Sequence, residues 1–237
     1  MTPPLHILFE DNHCLAVAKP APLLTQAPAG IPSLEEWVKD YLKERYGKAG
    51  KVYLGVPHRL DRPVSGVVLF ARSSKAARRL AEQFEQRAVT KNYWAAVEGQ
   101  VEPGAGIWED WLLKIKDEPR ARRAVAGETG AQRATLQYRV LHACGGGTLL
   151  ELRPQTGRMH QLRVQAALRG YPVLGDLLYG ARLPFGPPTE LPRDRVIALH
   201  ARLLTFLHPI RYEPVTVMAP LPESWRELGV EPESCVS

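Results

Sequence analysis

Cysteine is scarce in this chain. Its 237 residues include only Cys14, Cys144 and Cys235, which lie far apart and form no Cys-x-x-Cys pair. This spacing indicates neither a disulfide framework nor a zinc site, so we expect no metal. An odd number of scattered thiols fits a reducing compartment, and we expect a cytoplasmic protein.

Long apolar runs are also missing. No stretch approaches the roughly 18 apolar residues of a membrane-spanning helix, so no membrane contact is expected. The N-terminal sequence MTPPLHILFEDNH lacks the basic start and apolar run of a signal peptide. Internal repeats, low-complexity tracts and an obvious linker are absent as well. We therefore predict a single domain over residues 1–237.

Positive charge is in excess and clustered. Lys and Arg number 31 against 25 Asp and Glu, which gives a formal charge of +6 and a pI near 9.3. Segments 72–91 and 114–133 each carry six basic residues, against two and three acidic ones. Such clusters suit a polyanionic partner such as RNA, and a solvated basic face is the alternative.

Apolar periodicity predicts more strands than helices, without regular alternation. This favours an α+β fold with a mostly antiparallel mixed sheet flanked by helices and loops. The polar segment Asp117–Gly130 is expected to be a mobile loop or ribbon. The predicted strands are a hairpin of residues 5–9 and 14–18, a strand over 67–70, a strand over 93–97, an antiparallel pair over 132–141 and 148–152, and late strands over 196–206 and 214–218. The predicted helices are one from Leu34 capped by Ser33, one capped by Ser73 or Ser74, one over 158–169 capped by Thr156, and a short one around Trp225.

A polar segment, His-Arg-Leu-Asp-Arg-Pro-Val-Ser-Gly over residues 58–66, directly precedes an apolar strand. A lone Asp in a loop is usually a turn residue. Here Asp61 lies between Arg59 and Arg62, and nearby guanidinium groups favour the ionised carboxylate that a nucleophile needs. A loop held against a rigid strand is also a suitable mount for a reactive group. Asp61 is therefore a candidate catalytic residue.

This segment resembles motif II of the RluA-type pseudouridine synthases. Other landmarks of that family follow in the same order along most of the chain. They are Val17-Ala18-Lys19-Pro20, Lys91-Asn92-Tyr93-Trp94-Ala95, residues 156–164 (Thr-Gly-Arg-Met-His-Gln-Leu-Arg-Val), Gly175-Asp176 with Tyr179-Gly180, and Leu199-His200-Ala201. The chain departs from the family at Val64, at residues 21–26 and at Gln165, and these departures affect substrate specificity rather than any catalytic group.

The resemblance implies an isomerase that breaks the N1–C1′ bond of uridine, turns the base and rejoins it through C5. The reaction needs no redox change and no group donor, so no cofactor is expected. Asp61 is implied to be the nucleophile, and attack on C1′ of the ribose or on C6 of the base both remain open. The implied substrate is ribosomal or transfer RNA.

Tyr93 and Arg163 match two further family positions. The resemblance implies that Tyr93 stacks on the target base and assists proton removal at C5, whereas its spacing alone fits a core tyrosine. It implies that Arg163 pairs with Asp61, whereas a surface arginine on an amphipathic helix is the alternative. If residues 158–169 are helical, His160 and Arg163 share a face.

Six residues are weaker candidates for contacts with the substrate. Arg59 would fill the space left by a flipped-out uridine, unless it is structural, and Lys19 would bind phosphate or cap one end of the sheet. The full set is Arg59, Arg62, Arg158, His160, Gln161 and Lys19.

We expect no accessory RNA-binding domain before the predicted catalytic domain, so its own basic surfaces would hold the RNA. We expect a monomer that needs no protein partner. The alternatives are a non-catalytic RNA-binding protein, which the presence of Asp61, Tyr93 and Arg163 disfavours, and a glycosidase-like hydrolase, which usually needs paired carboxylates.

Overall fold

Ten strands and three α-helices are present in this computed structural model, which describes residues 4–230. The strands are β1 (His6–Glu10), β2 (Cys14–Lys19), β3 (Ser65–Ala71), β4 (Thr90–Glu98), β5 (Ala105–Lys114), β6 (Ala121–Ala124), β7 (Gln132–Cys144), β8 (Gly147–Pro154), β9 (Leu199–Leu207) and β10 (Pro214–Met218). The helices are α1 (Leu34–Tyr46), α2 (Ser74–Glu85) and α3 (Gln161–Ala167), with short 3₁₀ segments at Leu177–Tyr179, Pro192–Asp194 and Glu223–Leu228.

The chain divides into two compact units. The first comprises the residues up to Lys91 together with Ala201–Pro220, and the second comprises Asn92–His200 and the residues from Leu221 onward. The strand pairs β1–β2 and β2–β3 of the first unit and β5–β7 and β7–β8 of the second are all antiparallel, and the helices do not alternate regularly with the strands. The predicted α+β class is confirmed. The single catalytic domain over residues 1–237 stays a prediction.

The first unit begins with the predicted hairpin of β1 and β2, and β2 pairs in turn with β3. Helix α1 starts where expected, because the Ser33 side chain accepts a hydrogen bond from the backbone N–H of Glu36. It ends at Gly47, which has a left-handed conformation. Ser73 caps α2 in the same way. The apolar face of α2, with Ala76 and Leu80, packs on β3, and this packing fixes the strand that follows the Asp61 segment.

The second unit is an antiparallel sheet in the order β4–β8–β7–β5–β6. Gly147 begins β8 beside β4, and a Cβ there would lie only 2.0 Å from the carbonyl oxygen of Val97. Only glycine permits this close approach of two backbones. The register places Tyr93 of β4 opposite Leu152 of β8.

Two parts of the second unit differ from the predictions. Strand β5 was not predicted, because only Trp108 and Leu112 in it are buried and its charged residues hide the alternation. It pairs with β6, so the segment around Asp117–Gly130 contains a ribbon. The helix predicted over 158–169 spans only Gln161–Ala167.

The predicted cap of α3 is wrong as well. His160 occupies the N-cap position with a left-handed φ of 51°, and no side chain caps the helix. The Thr156 hydroxyl is instead engaged with Thr135 and Gln161. The argument that His160 and Arg163 share a helix face therefore fails, because His160 precedes the helix.

Candidate active site

The backbone around Asp61 is fixed through its neighbours in the first unit. The buried Thr25 hydroxyl donates to the Leu60 carbonyl at 3.0 Å and accepts the Leu60 N–H at 3.1 Å. On the other side, the Arg62 carbonyl accepts the Leu23 N–H at 3.2 Å. The Asp61 carbonyl itself accepts the Val64 N–H at 3.1 Å, which closes a turn. The half-buried Asp61 side chain thus projects from a loop with little freedom.

Lys19 stabilises the same loop through hydrogen bonds. Its side chain is only 1% exposed, and its ammonium donates to the carbonyls of Leu23 at 2.7 Å, Pro20 at 3.0 Å and Arg62 at 3.3 Å. Burial lowers the pKa of Lys19 to about 7, and the charge of Asp61 opposes part of that shift. Of the two roles predicted for Lys19, these contacts favour the structural one, because the ammonium is occupied by carbonyl groups.

His58 is a residue whose role the sequence did not indicate. Its Nε2 accepts the backbone N–H of Leu69 at 2.9 Å, and its ring stacks on Phe84 at 4.6 Å. Loss of solvent around the ring lowers the pKa of His58 to about 3, and the charge of Lys91 adds to the effect. The imidazole is therefore neutral and anchors the start of the Asp61 segment to β3.

The arginines on either side of Asp61 differ in their surroundings. Arg59 is exposed, as a side chain that contacts a nucleic acid would be. Arg62 is half-buried, and among the described residues its Nε is one of the few buried side-chain atoms without a hydrogen-bond partner. A buried N–H without a partner is costly, so Arg62 offers a donor that a bound acceptor would satisfy.

Tyr93 and Arg163 belong to the second unit. Tyr93 is half-buried on β4, and its neighbour Asn92 is tied to the buried Glu151 carboxylate at 2.8 Å. Arg163 lies in α3 with a side chain only 5% exposed. Its Nε donates to Oδ2 of Asp176 at 2.6 Å and its Nη2 donates to Oδ1 at 2.8 Å. The alternative of a surface arginine is therefore wrong, and the pairing of Arg163 with Asp61 stays a prediction.

The segment that leads into α3 is held by Gln161. Its amide donates to the Thr135 carbonyl at 3.1 Å, and its Oε1 accepts the Arg158 N–H at 3.1 Å. Arg158 donates through Nε to the Arg133 carbonyl at 3.1 Å. Gln161 thus orients the loop that leads into α3. His160 shares a hydrogen bond of 2.8 Å with the Tyr179 hydroxyl.

The basic cluster along α2 is only partly exposed. Arg72 has only 8% of its side chain exposed, pairs with Glu10 at 3.2 Å and stacks on Tyr46. Arg79 donates to the Pro209 carbonyl at 2.7 Å. These two charges do not face outward, because each completes a contact inside the first unit. The exposed basic residues of this segment include Lys75, Arg78 and Arg87.

In the ribbon of the second unit, several basic side chains have acidic partners. Arg122 pairs with Glu128, Arg120 lies 3.6 Å from Glu118, and Arg133 lies 2.7 Å from Glu109. All of these arginines are exposed, so the pairs are weak and an RNA phosphate can replace the carboxylate. The net positive charge of this predicted basic surface is therefore lower than the number of its arginines suggests.

A metal-like cluster occurs among the described residues at Asp11, Cys14 and His208. Both ring nitrogens of His208 are already engaged: Nδ1 accepts the backbone N–H of Arg211 at 2.9 Å, and Nε2 lies 2.7 Å from Oδ2 of Asp11. Burial raises the pKa of the Cys14 thiol to about 12, which disfavours a thiolate ligand. The cluster is better explained as a structural link between the β1–β2 turn and the end of β9.

Comparison with known proteins gives consistent matches. A family model described as RNA pseudouridylate synthase matches residues 13–168. The chain is 37% identical to ribosomal large subunit pseudouridine synthase D of Xanthomonas campestris over 95% of this chain and 68% of that protein. It is 35% identical to the dual-specificity RNA pseudouridine synthase RluA of Escherichia coli, with 92% and 94% covered.

Two further comparisons agree. The tRNA pseudouridine synthase C of Haemophilus influenzae is 33% identical over 94% of this chain and 96% of its own length. The solved structure of human RNA pseudouridylate synthase domain containing 4 has a TM-score of 0.76 at 26% identity, with 95% of this chain and 94% of that chain covered. Among residues 4–230, no helix is long and apolar enough to cross a membrane.

Proposed function

The chain belongs to the RNA pseudouridylate synthase family, and we propose that it isomerises uridine in ribosomal or transfer RNA with Asp61 as the nucleophile. The enzyme is an RNA pseudouridine synthase, and its fold is the α+β fold of this family. Similarity to relatives named for large-subunit rRNA, for tRNA and for dual specificity supports both RNA classes.

One observation supports Asp61 above other carboxylates. It is flanked by Leu60 and Arg62, whose main-chain groups are tied to Thr25, Leu23 and Lys19, so its Cα position is fixed while its side chain stays half-buried. A nucleophile held in this way loses little entropy on reaching the reacting atom.

The reaction balances without an external reagent. The N1–C1′ bond breaks, the base turns, C5 bonds to C1′, and the proton on C5 is lost while N1 gains one. The target uridine must leave its stack to reach the carboxylate, and the exposed Arg59 is suited to fill the vacated space. Tyr93 would stack on the flipped base and assist removal of the C5 proton.

Arg163 would pair with the Asp61 carboxylate and fix its direction. Arg158, His160 and Gln161 would order the segment that carries Arg163 and contact the RNA near it. We further propose that the two units act together as one catalytic domain, as a monomer and without a required protein partner.

The test is turnover by an Asp61→Asn variant. Purified protein is incubated with total rRNA and with total tRNA from cells that lack the gene, and pseudouridine is mapped at single-nucleotide level. We expect the wild type to restore specific sites and Asp61→Asn to restore none, because the change is nearly isosteric and removes the nucleophilic charge. RNA affinity should stay nearly unchanged.

Asp40→Asn is the matched control, since Asp40 is an exposed carboxylate on α1 that pairs with Lys43 at 3.3 Å. It should restore the same sites as the wild type. Turnover by Asp61→Asn, in protein free of wild-type enzyme, would contradict the nucleophile assignment. Failure of the wild type on both RNA classes would contradict the proposed substrates.

A further inference from the structure

Arg163 is held by a carboxylate that no step of the proposed reaction uses. The Asp176 side chain is only 1% exposed and meets the Nε and Nη2 atoms of Arg163 in a two-point contact. Bidentate pairs of this kind fix the plane of the guanidinium as well as its position. The Tyr179 ring lies 5.0 Å from the guanidinium carbon and limits its movement further.

The backbone of Asp176 is itself fixed. Its N–H donates to the Val173 carbonyl at 3.0 Å, and its carbonyl accepts the N–H groups of Tyr179 at 3.0 Å and Ala181 at 3.1 Å. Gly175 precedes it with a φ of 82°, and a Cβ there would lie 2.7 Å from the Val196 carbonyl oxygen. The chain can therefore turn into Asp176 only with glycine at residue 175, which makes this carboxylate a rigid support.

A second contact links this support to the ribbon. The Tyr179 hydroxyl accepts the backbone N–H of Ala121 in β6 at 3.0 Å and shares a hydrogen bond with His160. The aromatic side chain that flanks Arg163 is thus held from two sides. The buried carboxylate of Asp176 supplies negative charge against the buried guanidinium.

We propose that Asp176 is a positioning residue, which sets the orientation of Arg163 during pseudouridine formation. The inference rests on the proposed function, in which Arg163 serves the nucleophile. Because the Nε–Nη2 edge is taken by Asp176, Arg163 would use its Nη1–Nη2 end toward the reacting carboxylate. Loss of Asp176 would allow the guanidinium to rotate, so turnover would fall while the RNA contacts stay in place.

The chain supplies a matched control. Arg169 lies near the end of α3, pairs with the buried Asp110 carboxylate at 2.8 Å and stacks on Trp108 at 4.9 Å. It repeats the combination of arginine, carboxylate and aromatic ring but is not a candidate for the reaction. Asp110→Asn therefore measures the structural cost of removing such a carboxylate from the second unit.

The experiment compares Asp176→Asn, Asp176→Glu and Asp110→Asn. For each variant, kcat at saturating RNA and the affinity for RNA are measured well below the unfolding temperature of that variant. We expect kcat to fall by about 100-fold for Asp176→Asn and about tenfold for Asp176→Glu, since misplacement of a catalytic group by about 1 Å costs roughly that much. RNA affinity should stay within about threefold, and Asp110→Asn should keep wild-type kcat.

A kcat for Asp176→Asn that matches Asp110→Asn would overturn the proposal, as would equal losses of kcat and RNA affinity. If Asp176→Asn does not fold, Asp176→Glu decides, and wild-type kcat in that variant overturns the proposal. These outcomes are separate from a failure of the proposed function. If the proposed function itself is wrong, Asp61→Asn will be active, or the wild type will modify neither RNA class.

Discussion

The Asp61 loop of the first unit and the Arg163 side chain of the second are held in different ways. Around Asp61 the contacts are to main-chain groups of its neighbours, from Thr25, Leu23 and Lys19. Around Arg163 the contacts are to the side chain itself, from Asp176 and the Tyr179 ring. One arrangement fixes a backbone, and the other fixes a charged group at the end of a long chain.

The difference follows from the flexibility of the two residues. An aspartate has a short side chain, so a fixed backbone nearly fixes its carboxylate, and its oxygens remain the reactive atoms. An arginine has four rotatable bonds and about 2 kcal/mol of rotamer entropy, so a fixed helix position leaves the guanidinium undirected. A second carboxylate is the simplest means of directing it.

Arg163→Lys is the sharpest test of the side-chain arrangement. Lysine keeps the charge but cannot make the two-point contact with Asp176, so we expect kcat to fall by about 100-fold. Arg169→Lys is the control, with kcat expected within about threefold of the wild type. Measurement of kcat at saturating RNA for both variants shows whether turnover depends on the two-point contact of Arg163. Equal kcat values for the two would mean that the plane of the Arg163 guanidinium is irrelevant to turnover.

Thr25→Val tests the backbone arrangement. The two side chains are nearly the same shape, but valine leaves the buried N–H and carbonyl of Leu60 without their hydroxyl partner. Each unsatisfied buried group costs about 1–3 kcal/mol, so we expect the free energy of unfolding to fall by about 2 kcal/mol or more. Chemical denaturation measures the loss, and kcat should fall with it because the Asp61 loop loosens.

The control for this variant is Thr205→Val. The Thr205 and Thr216 hydroxyls share an exposed hydrogen bond between β9 and β10, where water can replace the lost partner. Its change in the free energy of unfolding should stay within about 0.5 kcal/mol. A loss for Thr25→Val that is no larger than the loss for Thr205→Val would show that the loop does not depend on this hydroxyl.

The sequence predicted the parts of the fold that depend on local chemistry. Ser33 and Ser73 cap their helices because a serine hydroxyl can reach the N–H three residues on, and alternation or buried apolar runs marked most strands. Strand β5 was missed because only Trp108 and Leu112 in it are buried, and charged residues lie between them. The left-handed His160, which precedes the shortened α3, had no sequence signal.

The candidate site also has a part that the sequence predicted and a part that it did not. Asp61, Tyr93 and Arg163 were named from family motifs, and those motifs carry no information on how each residue is held. The roles of Lys19 and His58 depend on which carbonyl or N–H the fold brings to them, and Asp176 lies 13 residues from Arg163 in the sequence. Distance along the chain does not reveal such pairs, so only the structure showed them.

The smallest effect we predict concerns Lys19 and the pH dependence of stability. Its pKa of about 7 in the folded protein lies below the ordinary 10.5, so between these values the unfolded chain holds a proton that the folded chain has released. Stability therefore rises with pH in this window, by at most about 1.4 kcal/mol per pH unit for one proton. Lys19→Met should remove this slope, and Lys39→Met, at a partly exposed lysine of α1, should keep it.

Denaturant titrations of the three proteins at several values between pH 7 and 8.5 measure this effect. The upper limit matters, because the pKa of the Cys14 thiol is raised to about 12 from an ordinary value of 9.0, and ionisation of this thiol in the unfolded chain above pH 8.5 acts in the opposite direction. Parallel slopes for wild type and Lys19→Met would mean that Lys19 keeps its proton in the folded chain. The Lys19 ammonium that donates to the Arg62 carbonyl would then be fully charged throughout the physiological pH range.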